Sequence, residues 1–441
     1  MRHKWITRIG MILVYTLAAN CYFLLWGYPL LILPMAAIIL LINILPGLVV
    51  KGVRRLRLQI CLHGAECLTV FSGAALLSIL WHGCLAVRML PSLWIHWLLS
   101  AVVAFGILMI LFWNGILCVY FTSVQLGIRI RILGVICGLI PVAQLIVLGK
   151  IMAVTFREVR EESEKDALNA ARAEQKICAT KYPILLVHGV CFRDFKHLSY
   201  WGRIPKELEK NGAVVFFGEH QSARPVRYSA AELTNRIHEI TRQTGAEKVN
   251  IIAHSKGGLD CRWAMRDPEV AAKVASLTTV NTPHRGCEYA DYLLHKIEPK
   301  VQMKVANAYN KAARIAGDTN PDFIAAMQDL TASACREKDP LMPQPTGVLC
   351  QSIGSVMKKP IYGTFPLKFT YRVVKEFDGP NDGLVGQDSF AWGDDYQLLK
   401  PKGRHGISHG DVIDMNRENL PGFDVREFYV QLVAKLKEKG L

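Results

Sequence analysis

The first third of the chain is a series of long apolar runs separated by short polar turns. The runs cover residues 9–26, 29–50, 68–87, 94–121 and 132–155, and a helix needs about 20 apolar residues to cross a bilayer. The first run is too long for a cleaved signal peptide, and a second run follows it at once. So few charged residues also argue against a buried, soluble helical core. The pattern therefore predicts an all-α transmembrane domain of five helices over residues 1–155.

Charge is distributed unevenly along the chain. Residues 1–155 contain eleven Lys and Arg residues but one acidic residue, Glu66, and they supply most of the formal net charge of +15. These bases lie between apolar runs rather than in a solvated patch, which argues against a nucleic-acid partner. The positive-inside rule places their two main loops on the inner side of the membrane; the bases are Lys51, Arg54, Arg55 and Arg57, then Arg129 and Arg131. Five spans then put the remainder outside the cell, whereas one span fewer would reverse this orientation.

The pattern changes after the last apolar run. Residues 157–176 are highly charged and rich in Ala, Glu and Arg, which predicts a solvated helical linker over residues 156–180. A partner-binding coil is the alternative, but the segment shows no sustained apolar heptad. Beyond it, short apolar runs typical of buried strands occur at residues 182–190, 249–253 and 369–374. We expect residues 181–441 to form a separate domain.

One of these strand-like runs leads directly into a serine between small residues. Ser255 follows residues 249–254, and a helix-compatible segment follows the serine. This is the nucleophile-elbow pattern, G-x-S-x-G, with Ala253 in place of the first glycine. The tight strand-to-helix turn requires small residues two positions before and after the serine, and Ala253 and Gly257 meet that requirement. Such a motif alone also arises by chance, so its context decides its meaning.

Three further segments occur in the order that this type of site requires. A strand ends in His188 and Gly189, an acidic turn covers residues 377–385, and a histidine loop covers residues 406–411. The order of serine, then acid, then histidine is the order of an α/β-hydrolase. The backbone amides of Val190 and Lys256 are candidates for an oxyanion hole, which stabilises charge that develops in the transition state.

The chain from about Lys181 onward resembles the bacterial triacylglycerol lipases of the α/β-hydrolase superfamily. The resemblance rests on residues 183–189, 253–258, 281–286 and 381–385 and on the final His-x-Asp at 409–411. Residues 200–202, Tyr-Trp-Gly, are similar to a segment of the Gram-positive lipases. The resemblance implies a mostly parallel sheet with Ser255 as nucleophile, Asp382 as triad acid, His409 as base, and Val190 and Lys256 as oxyanion donors.

Two of these roles have rivals nearby. Asp378 also lies in the acidic turn, but Asp382 fits the Asn-Asp-Gly-Leu-Val pattern. His405 rivals His409, which we favour for its His-x-Asp setting. His188 and His254 are interpreted as residues that shape the site rather than transfer protons.

An insert between Cys287 and about Pro345 interrupts the alternation of strands and helices. Its central apolar positions recur at spacings of four and three, which predicts a helix with one apolar face; they are Val301, Val305, Ala308, Ala312 and Ile315. Two interpretations remain open: the face packs on the core, or the helix is a lid that covers Ser255 in water and opens onto lipid.

Cysteine and acidic residues give little sign of metal binding. Six of the twelve cysteines lie before Arg157 as small apolar residues, and the later six show no paired CxxC spacing for zinc. A bridge between Cys335 and Cys350 is possible in an extracellular domain, and Cys191 is expected to line the pocket.

Lipases of the resembled family often hold Ca²⁺, and Asp411 matches one ligand position. No partner acid occurs near residues 361–364, so we expect no obligatory Ca²⁺ and no cofactor.

Taken with the resemblance, these features predict a membrane-anchored serine hydrolase that cleaves carboxylic esters of acyl lipids. The catalytic domain is expected to face outward from a multi-pass anchor in the cell membrane, with the bilayer and an ester substrate as its partners. An acyltransferase or a phospholipase with the same triad remains an alternative. A non-catalytic membrane-binding module is a second alternative, against which the intact Ser255, Asp382 and His409 argue.

Overall fold

The computed structural model describes residues 2–48, 52–90, 92–138, 140–190, 200–363 and 366–441. Lys51 of the basic loop, Val50 at the end of the second expected span, and Cys191 lie outside these residues. The chain divides into two compact units, Met1–Ala170 and Ala171–Leu441. The division falls within the segment expected to be a linker.

The first unit is helical. Its helices are α1 (Arg2–Ala19), α2 (Tyr22–Gly27), α3 (Ile32–Leu48), α4 (Leu56–Met89), α5 (Trp94–Thr122), α6 (Gly127–Cys137) and α7 (Pro141–Ala171). Among the described residues, α4 and α5 are long and apolar enough to cross a membrane, by length and composition. Gly64 and Gly115 allow these two helices to pack closely, since a Cβ at Gly64 would lie 2.8 Å from the Gly115 carbonyl oxygen.

Two of the five expected spans are interrupted in the structure. The run at 9–26 divides between α1 and α2, with a break at Asn20 and Cys21. The run at 132–155 divides between α6, which ends at Cys137, and α7, which begins at Pro141. Proline at the first position of a helix has no amide hydrogen to donate, so it suits a helix start. A sum of hydropathy over a window does not register such a break, and the five-span count lacks structural support.

The charged segment after residue 156 is helical, and only part of it is exposed. It continues α7 as far as Ala171, and Glu158 within it is buried. The Glu158 carboxylate lies 2.7 Å from Arg57 Nη1 and accepts a hydrogen bond from the Ser123 hydroxyl. Glu162 lies 3.4 Å from Arg55. The acids of α7 therefore neutralise part of the basic loop, so the free positive charge on which the orientation argument depended is smaller than the sequence suggests.

The second unit is built on a parallel sheet covered by helices. Its described strands are β1 (Ile184–Val187), β2 (Val215–Phe217), β3 (Val249–His254), β4 (Val274–Val280), β5 (Leu349–Ser355) and β6 (Asp395–Leu399), in the spatial order β2-β1-β3-β4-β5-β6. Every pairing is parallel. β1, β3 and β4 are buried along their whole length, as strands covered on both faces are. The sheet order reverses direction at β1 and β3, and ligands bind at such switch points of open parallel sheets.

Helices and their connections cover this sheet. They are α8 (Ile204–Lys210), α9 (Val226–Thr244), α10 (Lys256–Ala264), α11 (Pro268–Ala272), α12 (Glu288–Lys296), α13 (Pro299–Ile315), α14 (Phe323–Gln328), α15 (Ala332–Lys338), α16 (Leu367–Asp378) and α17 (Val425–Glu438). The apolar run at 369–374, expected to be a strand, lies inside α16. Leu367, Tyr371 and Val374 are its buried residues, a spacing of four and three that a short apolar run conceals.

The insert between β4 and β5 contains α12 to α15. On α13 the predicted apolar face points outward: its five positions are exposed, whereas Ala306 and Ala313 are buried. The interpretation that this face packs on the core is therefore wrong. Cys335 and Cys350 are free, buried thiols, so the bridge that we considered between them is absent.

Candidate active site

Ser255 lies at the sharp turn between β3 and α10. Its backbone has φ 55° and ψ −132°, a conformation that L-residues rarely adopt. The Ser255 amide donates to the Val280 carbonyl oxygen at 2.9 Å, which secures the turn to the neighbouring strand. Unusual backbone geometry held in place by its surroundings is typical of functional sites. The expected elbow is therefore present, and it lies at the carboxyl end of a central strand.

Two glycines allow the backbone to pass close to this serine. A Cβ at Gly189 would lie 2.7 Å from Ser255 Cβ, and a Cβ at Gly257 would lie 2.5 Å from the His188 carbonyl oxygen. Gly257 is the small residue that the motif requires two positions after the serine. Because a side chain at either glycine would separate them, the turn after β1 and the start of α10 can approach each other only with glycine there.

This approach brings the two candidate oxyanion donors to the same region. Val190 follows Gly189 in the turn after β1, and Lys256 is the first residue of α10. The first amides of a helix have no intrahelical acceptor, and the positive end of the helix dipole lies there. Among the described residues, neither amide donates to a protein oxygen. Both are free to bind an anionic oxygen.

Asp382 and His409 form the central polar contact of the site. His409 Nδ1 lies 2.6 Å from Asp382 Oδ2, and the His409 amide donates to the Asp382 carbonyl oxygen at 2.9 Å. A carboxylate accepts hydrogen bonds, so Nδ1 carries the proton and Nε2 keeps its lone pair. Asp382 Oδ1 also accepts from the amides of Leu384 and Val385, at 2.9 and 2.8 Å. The acid turn thus holds the carboxylate in one orientation.

His409, the candidate base, lies close to the turn at Ser255 because it packs against His254. The rings of His409 and His254 are 4.4 Å apart between centroids, and His254 immediately precedes Ser255. No hydrogen bond joins Ser255 Oγ to His409 among the described residues. In ligand-free sites such contacts are often long, and they tighten when a substrate binds.

The rival residues have other partners. Asp378 accepts from the amides of Glu288 and Tyr289 at 2.9 and 3.1 Å, at the start of α12. Burial raises the pKa of the Asp378 carboxyl. His405 contacts the Tyr362 ring at 4.6 Å between centroids. Neither residue belongs to the contacts around His409.

Asn281 lies at the site, although the sequence predicts no role for it beyond its place in the motif at residues 281–286. Its side-chain amide donates to Asp382 Oδ2 at 2.6 Å and to Ser355 Oγ at 2.7 Å. Its backbone has φ 47°, in the left-handed region that asparagine tolerates better than most residues. The signal for this role in the sequence is an asparagine directly after a buried strand, in a chain whose acidic turn lies about a hundred positions further on.

Tyr200 is the second residue whose role was missed. Its hydroxyl accepts from the Gly189 amide at 3.1 Å and lies 2.6 Å from His254 Nδ1. Burial lowers the pKa of His254 well below its ordinary value, and the neighbouring His409 lowers it further. His254 therefore stays neutral, and its Nδ1 accepts a hydrogen bond from the Tyr200 hydroxyl. The His188 ring nitrogens Nδ1 and Nε2 lie 2.9 and 3.0 Å from the Gly189 and His220 carbonyl oxygens, as expected of a residue that shapes the turn.

Asp411 is hydrogen-bonded within its own loop. Its carboxylate accepts from the Ser408 amide at 3.0 Å. Within the described ranges, no group of three or more His, Cys, Asp or Glu side chains could hold a metal ion. Thr364, at the end of the stretch where a partner acid is expected, lies outside those ranges. The expectation of no obligatory Ca²⁺ remains a prediction.

Similarity to characterised proteins covers part of the chain. A triacylglycerol lipase of Pseudomonas fragi is 40% identical over 295 residues, which are 59% of this chain and 98% of that protein. Triacylglycerol lipases of Burkholderia plantarii and Pseudarthrobacter phenanthrenivorans are each 34% identical, over 177 and 168 residues. The chain spans about half the length of these last two relatives, 49% and 52%. No protein-family model matches the chain.

Solved structures with some similarity include lipases. Bacillus licheniformis lipase BlEst2 in its mature form has a TM-score of 0.44 at 22% identity, over 58% of this chain and 92% of that one. Lipase 1 from Pelosinus fermentans has a TM-score of 0.43 at 16% identity, over 59% of this chain and 99% of that one.

Proposed function

The chain belongs to the triacylglycerol lipase family of ester-hydrolysing α/β-hydrolases, and we propose that it cleaves carboxylic esters of acyl lipids through an acyl-enzyme on Ser255. The observation that carries this proposal is the 2.6 Å contact between His409 Nδ1 and Asp382 Oδ2, in a loop packed against the residue before Ser255. A histidine oriented in this way can remove a proton from a neighbouring hydroxyl.

The proposed reaction has two halves. Ser255 Oγ attacks the ester carbonyl carbon while His409 Nε2 takes the serine proton, and Asp382 stabilises the imidazolium that results. The C–O bond to the alcohol breaks, and His409 returns the proton to the leaving alkoxide. Water then attacks the acyl-enzyme with His409 again acting as base, which releases the carboxylic acid and restores Ser255.

The amides of Val190 and Lys256 are proposed to stabilise the oxyanion of both tetrahedral intermediates. These amides bind the negatively charged oxygen of the transition state better than the neutral oxygen of the ester. They therefore contribute to kcat more than to substrate binding. The strained φ of Ser255 and the glycines at 189 and 257 support this assignment, because together they bring the two amides close to the serine.

Exposed apolar faces support an acyl-lipid substrate. Val301 and Val305 on α13 are 48% and 56% exposed, and Phe369 and Phe377 on α16 are 64% and 39% exposed. α16 also carries basic residues near its exposed apolar positions, namely Lys368, Arg372 and Lys375. An amphipathic helix with aromatic and basic residues suits a lipid surface with negative headgroups. We propose α13 as a lid whose apolar face contacts lipid.

Membrane association is proposed from α4 and α5, whose length and composition suit a membrane span. Arg55 and Arg57 form ion pairs with acids of α7, so the basic loop and residues 158–166 belong on the same side of a membrane that α4 crosses, whereas the five-span count puts them on opposite sides. The outward-facing catalytic domain is therefore kept as a proposal that a labelling experiment tests against an inward-facing one. A membrane-impermeant fluorophosphonate should label the chain in cells with an intact plasma membrane. Labelling that requires permeabilisation would instead place the domain inside.

The proposed function is tested with p-nitrophenyl esters of graded chain length and with emulsified triacylglycerol. We expect the wild type to hydrolyse them and Ser255→Ala to be inactive, with Ser333→Ala, an exposed serine on α15, as the matched control. The products identify the reaction class. Free fatty acid indicates hydrolysis, whereas transfer of the acyl group to an added alcohol in preference to water would indicate an acyltransferase.

A further inference from the structure

Lys256 supplies more than a backbone amide. Its side chain is 1% exposed, and Nζ lies 2.7 and 2.9 Å from the two carboxylate oxygens of Asp260, whose side chain is also 1% exposed. Nζ donates a further hydrogen bond to Ser229 Oγ on α9 at 3.0 Å. The two charged residues are four positions apart on α10. Their ion pair therefore spans the first turn of the helix that presents the Lys256 amide to the substrate.

The same carboxylate is linked to the other side of the oxyanion hole. Asp260 Oδ2 lies 3.7 Å from His220 Nε2. The His220 ring stacks on the His188 ring at 3.9 Å between centroids and an interplanar angle of 9°. His188 in turn contacts the Gly189 carbonyl oxygen at 2.9 Å, in the turn that carries the Val190 amide. A continuous set of buried contacts thus joins both candidate donors.

A contribution to the overall stability of the fold is a weak explanation for a buried ion pair at this position. Two buried charges lose favourable interactions with water, and their mutual attraction often does not compensate for that loss. Proteins in which well-packed apolar residues replace such a pair are frequently as stable or more stable. Burial raises the pKa of Asp260 to about 7 although Lys256 lowers it, which shows that the environment opposes the charge. The pair does fix the orientation of the Lys256 side chain, because Nζ donates hydrogen bonds to three oxygen atoms on two helices.

We propose that the buried pair of Lys256 and Asp260 is a positioning element, which fixes the Lys256 and Val190 amides at the separation required to bind the oxyanion. The proposal rests on the proposed function, since it assigns a purpose to residues behind that site. Neither Lys256 Nζ nor the Asp260 carboxylate touches the substrate. Their effect is exerted through the first turn of α10 and through His220 and His188.

The test compares single and paired substitutions in the full chain, purified in detergent. Asp260→Leu leaves a buried, unpaired ammonium and is expected to lower both the melting temperature and kcat. In Lys256→Met/Asp260→Leu the unpaired charge is gone, so the melting temperature should return to near that of the wild type. kcat for p-nitrophenyl butyrate should nevertheless stay about tenfold or more below wild type, with KM changed by less than about threefold.

A boronic acid that forms a tetrahedral adduct with the nucleophilic serine gives a second readout. Its inhibition constant should rise in the double variant by about the same factor by which kcat falls, because both depend on the oxyanion donors. Recovery of kcat to within about twofold of wild type, together with recovery of stability, would overturn the proposal and leave the pair a purely structural feature.

A milder variant keeps the test decisive if the double variant does not fold. Ser229→Ala removes one hydrogen bond to Nζ and should lower kcat about threefold with an unchanged melting temperature; an unchanged kcat would contradict the proposal. Failure of the proposed function gives a different result. In that case Ser255→Ala would retain wild-type hydrolysis, or the boronic acid would not inhibit the wild-type chain.

Discussion

Asn281 Nδ2 and Asp382 Oδ2 are 2.6 Å apart, and this same carboxylate oxygen receives His409 Nδ1. Asn281 follows β4 whereas Asp382 lies after α16, so the contact joins two segments that are far apart in the chain. Two donors on one oxygen fix the orientation of the carboxylate. The candidate acid, Asp382, is thus itself held by the residue that follows a central strand.

Replacing the acid should disable the base without unfolding the domain. Asp382→Asn offers an amide to His409 Nδ1 and favours the wrong tautomer of the imidazole, so we expect kcat to fall by about 10⁴. Asp378→Asn is the matched control, because Asp378 interacts with the start of α12 and should leave kcat within about threefold. Steady-state hydrolysis of a soluble p-nitrophenyl ester measures both. Equal losses in the two variants would contradict the choice of acid.

Asn281 should prove to be a positioning residue for Asp382. Asn281→Gly accepts the positive φ but loses the hydrogen bond to a charged group, and we expect kcat to fall about tenfold with KM nearly unchanged. Asn281→Ala loses the same bond and adds backbone strain, so it should also lower the melting temperature. Wild-type kcat in the glycine variant would exclude the role.

Buried histidines should make the second unit less stable in acid. Burial lowers the pKa of His254 and of His284 well below the ordinary value. An unfolded histidine titrates near pH 6.5, so below about that pH the unfolded chain binds more protons than the folded chain. The stability contributed by neutral His284 is present above about pH 6.5 and decreases as the pH falls below it.

Thermal unfolding between about pH 5 and pH 8 tests this dependence. His284 lies outside the proposed triad, so the comparison uses His284→Gln rather than a change at His254. The melting temperature of the variant should decrease less steeply toward low pH than that of the wild type. Parallel curves for the two proteins would show that the charge state of His284 is not linked to folding.

The buried cysteines should be unreactive in the native protein. Burial raises the pKa of Cys178, Cys335 and Cys350 to about 12 in each case. The thiolate is the reactive form, so iodoacetamide at about pH 8 should modify these residues only after unfolding. Peptide mass spectrometry measures the modification of each. A disulfide-linked peptide that contains both Cys335 and Cys350 would contradict the free thiols.

The motifs of the second unit were predictable because each rests on local constraints. A serine between small residues after a buried strand requires one type of turn, and Ser255 lies in that turn. The order of Ser255, Asp382 and His409 also predicted that the acid and base would meet. Their catalytic roles remain predictions, since geometry alone does not demonstrate turnover.

The parts that were mispredicted depend on contacts between distant segments. Residues 369–374 form part of a helix because Leu367 and Tyr371 pack on the core, and Thr370 donates to the Gly383 carbonyl oxygen at 2.6 Å. The acids of α7 were interpreted as solvated because their partners, Arg55 and Arg57, are about a hundred positions earlier in the chain. The pair of Lys256 and Asp260 was visible as a helical spacing, but its burial was not.

The central claim is tested most directly by finding which residue a fluorophosphonate modifies. These reagents react with serines that a neighbouring base activates. Mass spectrometry of the labelled wild-type chain should place the adduct on Ser255, and Ser255→Ala should lose both the label and ester hydrolysis while its melting temperature stays close to wild type. An adduct on another serine, or hydrolysis that persists in Ser255→Ala, would contradict the account.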